Sequence, residues 1–437
     1  MTWLRLAFAN LTLSPLSSAV NVLLMTLGTA SIVLLLLVGS QLTETMSRDA
    51  RGIDLVIGAK GSPVQLVLAA VYHADVPPGN ILQSAADRWA DDPRIARAVP
   101  LSLGDSYRNF RIVGTRAEIL EIYDASLADG RRWTHTMEAV VGSAVADAES
   151  LKVGSRFAGS HGLGDGGHIH DYQPYRVVGV LAPTGTVVDR LILTSLESVW
   201  DLHSSEHSHS HGAERPSNGP SGHALVDIRQ LGARAGPDRA PQEAAEEAVA
   251  SDHDESRREI TAMLLSYRSP MAAVSMPRLI NADPALQAAA PAVEISRVLQ
   301  LIGVGLDGLR TFAWVLIVAA GLSVFAALYG SLHARRRDLA TLRCLGATRG
   351  ELLVSMLLEG LLLSVFGVAL GFATGHVAME LLGGWLETAR GVTLTGWIWL
   401  PVETFLLLGL FAVGVIAAAI PAVQAYRTDP ARTLAET

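Results

Sequence analysis

The chain is short of charge, of aromatic side chains and, above all, of cysteine and lysine. Only 17% of its 437 residues are charged and 6% are aromatic, whereas an ordinary soluble domain carries about a quarter charged residues. A single cysteine, Cys344, excludes a disulfide framework. A hydrophobic content of 50% excludes a disordered chain. Lys60 and Lys152 are the only two lysines, beside 32 arginines. Neither lysine stands in a G-x-x-x-x-G-K-[ST] loop, so nucleotide is not bound here through a P-loop. H-E-x-x-H and G-x-S-x-G are both absent, which removes a zinc protease of that type and a nucleophile elbow. No catalytic or cofactor-binding residue is assigned, and the chain reads as a non-enzyme.

What is present is a sorting of charge. No charged residue lies between Arg5 and Glu44, or between Arg310 and Arg335. Leu352 to Ala378 is interrupted only by Glu359, and Thr404 to Tyr426 is uncharged. Each run reaches the roughly 20 apolar residues that cross about 30 Å of hydrocarbon as a helix. Four spans are therefore expected, at 19–42, 311–333, 351–379 and 398–425. The first is too long for a cleaved signal h-region and reads as an uncleaved anchor. Arg335, Arg336, Arg337, Arg343 and Arg349 stand between the second and third spans against one acid, Asp338. The positive-inside rule puts that segment (334–350) in the cytoplasm with both termini, 1–18 and 426–437. A large domain (43–310) and a short loop (380–397) then lie outside.

From Glu44 to Arg310 there are 34 acidic and 25 basic side chains, a net charge of −9. That argues against nucleic acid as a partner. Short β-like runs bounded by Gly, Pro and Asp are expected at 108–114, 138–142, 175–182, 187–194 and 223–228. Helical patches are expected at 64–73, 84–89 and 117–123, with Ser62-Pro63 as the first helix start. Helices at 41–50 and 293–310, adjoining the first two spans, suggest a stalk. The fold class is an α-helical membrane protein: four transmembrane helices plus a large mixed α/β outer domain on that stalk.

Three features could carry chemistry. Eleven of the 13 histidines fall in the outer segment. They concentrate in a Gly-rich insert near 160–171, with His168 and His170, and in a polar insert near 203–223, with His207, His209 and His211. Neutral imidazoles suit zinc, copper or nickel, so weak zinc binding is one reading and a solvated low-complexity loop the other. Glu359 is an ionisable group inside a span, read either as an inter-helix hydrogen bond that couples motion or as a snorkelling side chain. Finally, Arg335 to Leu345 forms a short helix striped by Leu339, Leu342 and Leu345. Gly346 is placed to end it, and Thr348 with Glu351 forms a T-x-x-E box that starts the next span. Such a capped amphipathic helix suits docking into a partner's groove.

The run Arg335-Arg336-Arg337-Asp338-Leu339-Ala340-Thr341-Leu342-Arg343-Cys344-Leu345-Gly346-Ala347-Thr348 resembles the cytoplasmic signature of FtsX/MacB-type ABC transporter permeases, the lipoprotein-release and macrolide-export class. Ile420-Pro421-Ala422 and Ala425 to Pro430 resemble that family's tail. Gly130-Arg131, Glu138 to Gly142 and Val177 to Val180 resemble its periplasmic core. The resemblance implies a multi-pass protein of the bacterial inner membrane with its large domain in the periplasm. It also implies a second permease chain, identical or not, and a separate ATP-binding subunit that uses ATP and Mg and contacts Arg335, Arg336, Arg337, Leu339, Leu342, Arg343, Leu345 and Gly346. Membrane lipid and a periplasmic or lipoprotein partner complete the expected surroundings. Two further readings stay open: a non-transporting regulator of a periplasmic partner such as a cell-wall hydrolase, and an envelope metal-uptake or sensing component. The segment Asp54 to Pro63 looks like a subgroup signature, and its residues alone read as a Gly turn opening a helix.

Overall fold

The structure, a computed structural model, describes residues 5, 7–9, 12, 15–162, 173–202, 258–334, 341, 343–390 and 394–426. Along the chain run α1 (Pro15–Asp49), β1 (Leu55–Ala59), α2 (Pro63–Ala70), β2 (Ile81–Leu82), α3 (Gln83–Ala90), β3 (Ile95–Tyr107), β4 (Phe110–Thr115), α4 (Ile119–Ile122), β5 (Leu127–Gly130), β6 (Glu138–Val141) and α5 (Ser143–Glu149). Then follow β7 (Arg156–Phe157), β8 (Ser160–His161), β9 (Tyr175–Leu181), a 3-10 turn (Val187–Arg190), β10 (Leu191–Ser195), β11 (Glu259–Ile260), β12 (Ala262–Tyr267), α6 (Ala272–Asn281), β13 (Leu286–Ala289), α7 (Pro291–Ala334), α8 (Arg349–Arg390) and α9 (Pro401–Tyr426). The chain divides into two compact units: Thr45–Val298, here the head, and Met1–Glu44 with Leu299–Thr437, the helical unit.

The head is built on one mixed sheet in the order β13-β1-β12-β3-β4-β10-β6-β9-β5, with β7 beside β9 and β8 beside β3. β10 runs parallel to β4 and β6 parallel to β9. Two buried clusters grip this sheet. One gathers Leu55, Ile57, Met263, Leu265, Met276 and Ile280; the other gathers Ile112, Val141, Phe157, Tyr175, Val177 and Ile192. Phe157 and Tyr175 stack with ring centroids 5.4 Å apart, and burying side chains of this size stabilises by about 1.5–3 kcal/mol each.

Strands β4, β6 and β9 fall on the expected runs, whereas β1, β3, β12 and β13 were not among them. In β1, Leu55, Val56 and Ile57 are all fully buried. A strand covered on both faces shows no apolar–polar alternation, which hides it from a period-two reading. The expected run 187–194 is only half strand. Val187–Arg190 is a 3-10 turn because the Asp189 carboxylate folds back onto the Thr184 and Gly185 amides. The run expected at 223–228 lies outside the described residues.

The Asp54–Pro63 segment is more than a Gly turn. It runs through strand β1, and a methyl group on Gly58 would overlap the Leu66 side chain of α2. The Lys60 ammonium then donates to three carbonyls, of Asn281 at 3.0 Å, Leu286 at 3.1 Å and Asp283 at 3.4 Å. Ser62 caps α2, its Oγ accepting from the Gln65 N–H at 3.4 Å, with Pro63 at the first helical position.

In the helical unit, α1, α7, α8 and α9 are each long and apolar enough to cross a membrane. They expose Leu23, Leu27, Phe312, Val315, Leu322, Phe405 and Ile416, the surface a bilayer covers. Between helices in lipid, small residues permit close backbone approach. Gly367, Gly371 and Gly375 of α8 lie on Met25, Thr29 and Val33 of α1; Gly360 of α8 lies on Ala418 of α9, and Gly414 of α9 on Ser364 of α8. α8 continues to Arg390, through positions expected as loop from 380 onward. Packing explains the extension: Met379 is fully buried with Val33 and Leu37, and Gly383 fits under the Leu394 carbonyl.

Candidate functional site

α1 ends inside the head, and its last two residues hold a loop of that domain. Arg48 Nη1 donates to the Gly185 carbonyl at 3.0 Å, and Asp49 Oδ1 accepts the Val187 N–H at 2.8 Å. The loop is shaped from within by Asp189. Its carboxylate accepts the Gly185 N–H at 2.7 Å, the Thr184 N–H at 2.9 Å and the Thr184 hydroxyl at 2.9 Å. One turn back on α1, the Met46 carbonyl accepts the Tyr72 hydroxyl at 2.9 Å. Met46 also shares a cleft with Val64 and Val67 of α2 and with Ile295 and Val298 of α7. The end of α1 and the start of α7 thus both seat on α2.

The electrostatics of this joint follow from burial. Asp49 is 2% exposed, and desolvation raises its pKa to about 6, against the Val187 hydrogen bond and the charges of Arg190 and Arg48. Burial holds the Arg190 guanidinium below its ordinary value. His73 has a left-handed backbone, φ 52°, and both ring nitrogens lack hydrogen-bond partners. Burial, then the nearby Arg111 and Arg190, lower its pKa to about 3, so it stays neutral. Arg111 completes the support by donating to the carbonyls of His73 and Asp75.

A group whose pKa is raised on folding stabilises fully below its unfolded value, and that contribution is lost as pH rises through the folded value. For Asp49 the window runs from about 3.8 to about 6. Asp49→Asn keeps an acceptor for Val187 and cannot ionise. It should raise stability by about 1–3 kcal/mol above pH 7 and change little at about pH 4. Thermal melts of the full-length variant across that range check this; an equal shift at both ends would remove Asp49 ionisation as the cause.

Of the residues singled out from the sequence, Arg335, Arg336, Arg337, Leu339 and Leu342 lie outside the described residues, as do His168, His170, His207, His209 and His211. Arg343 and Leu345 sit in a helical turn, with the Leu345 N–H donating to the Thr341 carbonyl at 3.0 Å. Leu345 is 80% exposed. Gly346 has φ +105°, the backbone region that glycine adopts at a helix end. The Thr348–Glu351 box forms reciprocally: Thr348 N–H donates to Glu351 Oε2 at 2.7 Å, and Glu351 N–H to Thr348 Oγ1 at 3.3 Å. Glu359 is buried in α8 at 2% exposure, as are Ser355 and Ser364 of the same helix. Among the described residues no group of three His, Cys, Asp or Glu could hold a metal ion. The Arg48–Asp49–Asp189 joint was not among the sequence expectations. Its one signal is an Asp-Arg pair interrupting the apolar run at 187–194.

The architecture is that of a multi-pass membrane protein with an α/β domain between its first two spanning helices. The MacB-like periplasmic core domain family matches residues 18–251, and the FtsX-like permease C-terminal family matches residues 310–430. The chain belongs to the FtsX/MacB-type family of ABC transporter permeases. It is 28% identical over 140 residues to the uncharacterized ABC transporter permease MJ1507 of Methanocaldococcus jannaschii, covering 32% of this chain and 34% of that one. It is 27% identical over 127 residues to the uncharacterized ABC transporter permease YknZ of Bacillus subtilis, covering 28% and 30%. The chain thus spans about a third of the length of these curated relatives. Among solved structures it is similar to the periplasmic region of MacB from Actinobacillus actinomycetemcomitans, at 11% identity and a TM-score of 0.32, covering 57% of this chain and 95% of that one. The extracellular domain of the noncanonic ABC-type transporter YknZ from Gram-positive bacteria gives 12% identity and a TM-score of 0.28, covering 54% and 98%.

Proposed function

We propose that this chain is the membrane subunit of an ABC complex in the bacterial inner membrane, and that it passes motion to its own periplasmic head. ATP and Mg are used by a separate ATP-binding subunit, and this chain does no chemistry. A second permease chain completes the complex. The observation that carries the reading is α1: an unbroken helix, Pro15–Asp49, whose last turn holds the head loop 185–190 by Arg48 and Asp49. A helix transmits displacement along its axis because each turn is hydrogen-bonded to the next. On the cytoplasmic side, the segment 334–350 meets the ATPase through Arg335 to Gly346. The exposed Leu345, fixed between a glycine-ended turn and the Thr348–Glu351 box, supports that docking role. The substrate is an envelope component exported or extracted by the head.

The test is co-purification with the ATP-binding subunit. Leu345→Asp should reduce its binding at least about tenfold while leaving the melting temperature unchanged, because an 80% exposed leucine contributes little to the fold. Leu339→Asp with Leu342→Asp should act in the same direction. Unaltered ATPase binding and stimulation in both variants would overturn the docking assignment.

A further inference from the structure

Residues 394–400 lead into α9 as a strap without regular secondary structure. The strap is pressed on α8. A methyl group on Gly396 would overlap the His376 carbonyl, and one on Gly383 would overlap the Leu394 carbonyl. Phe372, His376 and Glu380 stand at four-residue spacing on α8, hence on one face, and that face receives the strap.

Side chains serve the strap's backbone from its inner side. Gln41 of α1 donates to the Thr395 carbonyl at 2.8 Å and accepts the Thr395 N–H at 2.9 Å. Glu380 Oε2 accepts the Gly396 N–H at 2.8 Å, and His376 Nδ1 donates to the Gly396 carbonyl. Thr395 Oγ1 accepts the Trp397 N–H at 3.2 Å, and Glu403 Oε2 accepts the Leu400 N–H at 3.2 Å. A loop bathed in water needs no such partners, because water supplies them. At membrane depth, irregular backbone is tolerated only where protein takes the place of that water.

Outward, the strap turns apolar rings. Trp397 is 83% exposed, and Ile398 and Trp399 are exposed beside it. Trp399 Nε1 donates to Thr404 Oγ1 at 3.2 Å, so the polar group of that ring is satisfied within the protein. The ring itself packs on Phe372, with centroids 5.1 Å apart. The patch runs on into the exposed Val402 and Phe405 of α9, and so into the surface that a bilayer covers. No charged residue stands between Arg390 and Glu403. The strap therefore has nothing that selects a headgroup by charge, unlike the arginine-rich segment 334–350.

We propose that the 394–400 strap docks on the phospholipid surface, with Trp397 and Trp399 seated at the boundary between headgroups and acyl chains. Tryptophan suits that depth because its ring is apolar and its N–H is polar. Aromatic rings make the contact, and lipid charge plays no part in it. The hydrogen bonds from Gln41, Glu380 and His376 fix the strap beforehand, so docking does not bear the ordering cost of a free loop.

The test uses the full chain in phosphatidylcholine nanodiscs. In discs whose lipid is brominated near the glycerol end of its chains, Trp397→Phe with Trp399→Phe should lose quenched fluorescence relative to the parent, because two lipid-seated rings are gone. An equal quenched amplitude overturns the proposal. A nitroxide on a single cysteine then reads what covers the strap, in a Cys344→Ser background. Ile398→Cys carries the label, and Val402→Cys does so where Ile398→Cys lowers the melting temperature. Phe405→Cys gives the lipid reference, and Ala128→Cys, exposed on β5, the aqueous one. The ratio of collision rates with oxygen and with a nickel chelate should shift at 398 away from the value at 128 and toward that at 405. Replacing part of the lipid by phosphatidylglycerol should leave it unchanged. A ratio equal to that at 128 means that the strap faces water. Low rates with both reagents mean a protein cover, which is a second copy where unlabelled chain dilutes away spin–spin broadening. A shift seen only with phosphatidylglycerol means recognition by charge. Each of these three outcomes overturns the proposal.

Discussion

Asp189→Ala is expected to unseat the loop held by the end of α1, lowering the stability of the head by about 3–5 kcal/mol. The carboxylate is 9% exposed and accepts from the Thr184 and Gly185 amides and the Thr184 hydroxyl. Alanine leaves these donors without a partner, each at about 1–3 kcal/mol where water does not replace the lost oxygen. Gly185 and Val187 are also the residues that Arg48 and Asp49 hold, so the substitution loosens both grips at once. Asp189→Asn keeps one acceptor oxygen and should fall between the variant and the parent. Hydrogen exchange at the amides of Thr184, Gly185 and Val187 reads the loop directly; protection unchanged in Asp189→Ala would show that the carboxylate does not hold it. In the assembled complex, ATP hydrolysis should persist in Asp189→Ala while output at the head is lost. A general folding defect would instead remove both together.

How much of this was legible beforehand depends on how local each interaction is. The four spans were read from missing charge, the Thr348–Glu351 cap from residues three apart, and the start of α2 from Ser62 followed by Pro63. These signals are local, so neighbouring residues suffice to carry them. Strands β1 and β12 left no alternation to detect, because Leu55, Val56 and Ile57 and their partners Met263, Leu264 and Leu265 are buried on both faces of the sheet. Lys60 was visible as a lysine after two small residues, but its three carbonyl partners lie more than 220 residues away.

The sites divide in the same way. Asp49 and Val187 are 138 residues apart, and Gln41 and Thr395 are 354 apart. Nothing in the identity of an aspartate at the end of a helix, or of a glutamine beside a span, names such a partner. Glu359 was conspicuous because it is a charge inside an apolar run. Glu403 was not, because it stands two residues after Pro401, where an acid reads as an ordinary helix-start residue. Its Oε2 does cap the helix, and only the fold shows that the same oxygen also faces His376.

Gly371→Leu is expected to part α1 from α8 and to abolish stable folding of the helical unit. A methyl group at Gly371 would lie 2.5 Å from Thr29 Cβ, 2.7 Å from the Thr26 carbonyl oxygen and 3.1 Å from Thr26 Cα. Ordinary contact needs about 3.5–4 Å, so α1 itself has to move by about 1 Å even for alanine. Two of the three obstructing atoms belong to the α1 backbone, which has no rotamer to change. The neighbouring contacts cannot absorb the shift, because Gly367 meets Met25 and the Val22 carbonyl, and Gly375 meets Val33 and the Ala30 carbonyl. Helix association in lipid rests on such packing rather than on hydrophobic burial, so lost contact is not offset by solvent. The shift also propagates along α1 to Gln41, whose two hydrogen bonds to Thr395 tie down the strap. Gly371→Ala should cost about 2–4 kcal/mol and Gly371→Leu more. Gly409→Ala is the matched comparison: that glycine sits in α9 with open space where the methyl would go. It should be neutral or stabilising by up to about 1 kcal/mol through helix propensity alone. Melting of the three variants in one detergent separates the effects. If Gly371→Ala melts with Gly409→Ala, close contact between α1 and α8 is not what holds the helical unit together.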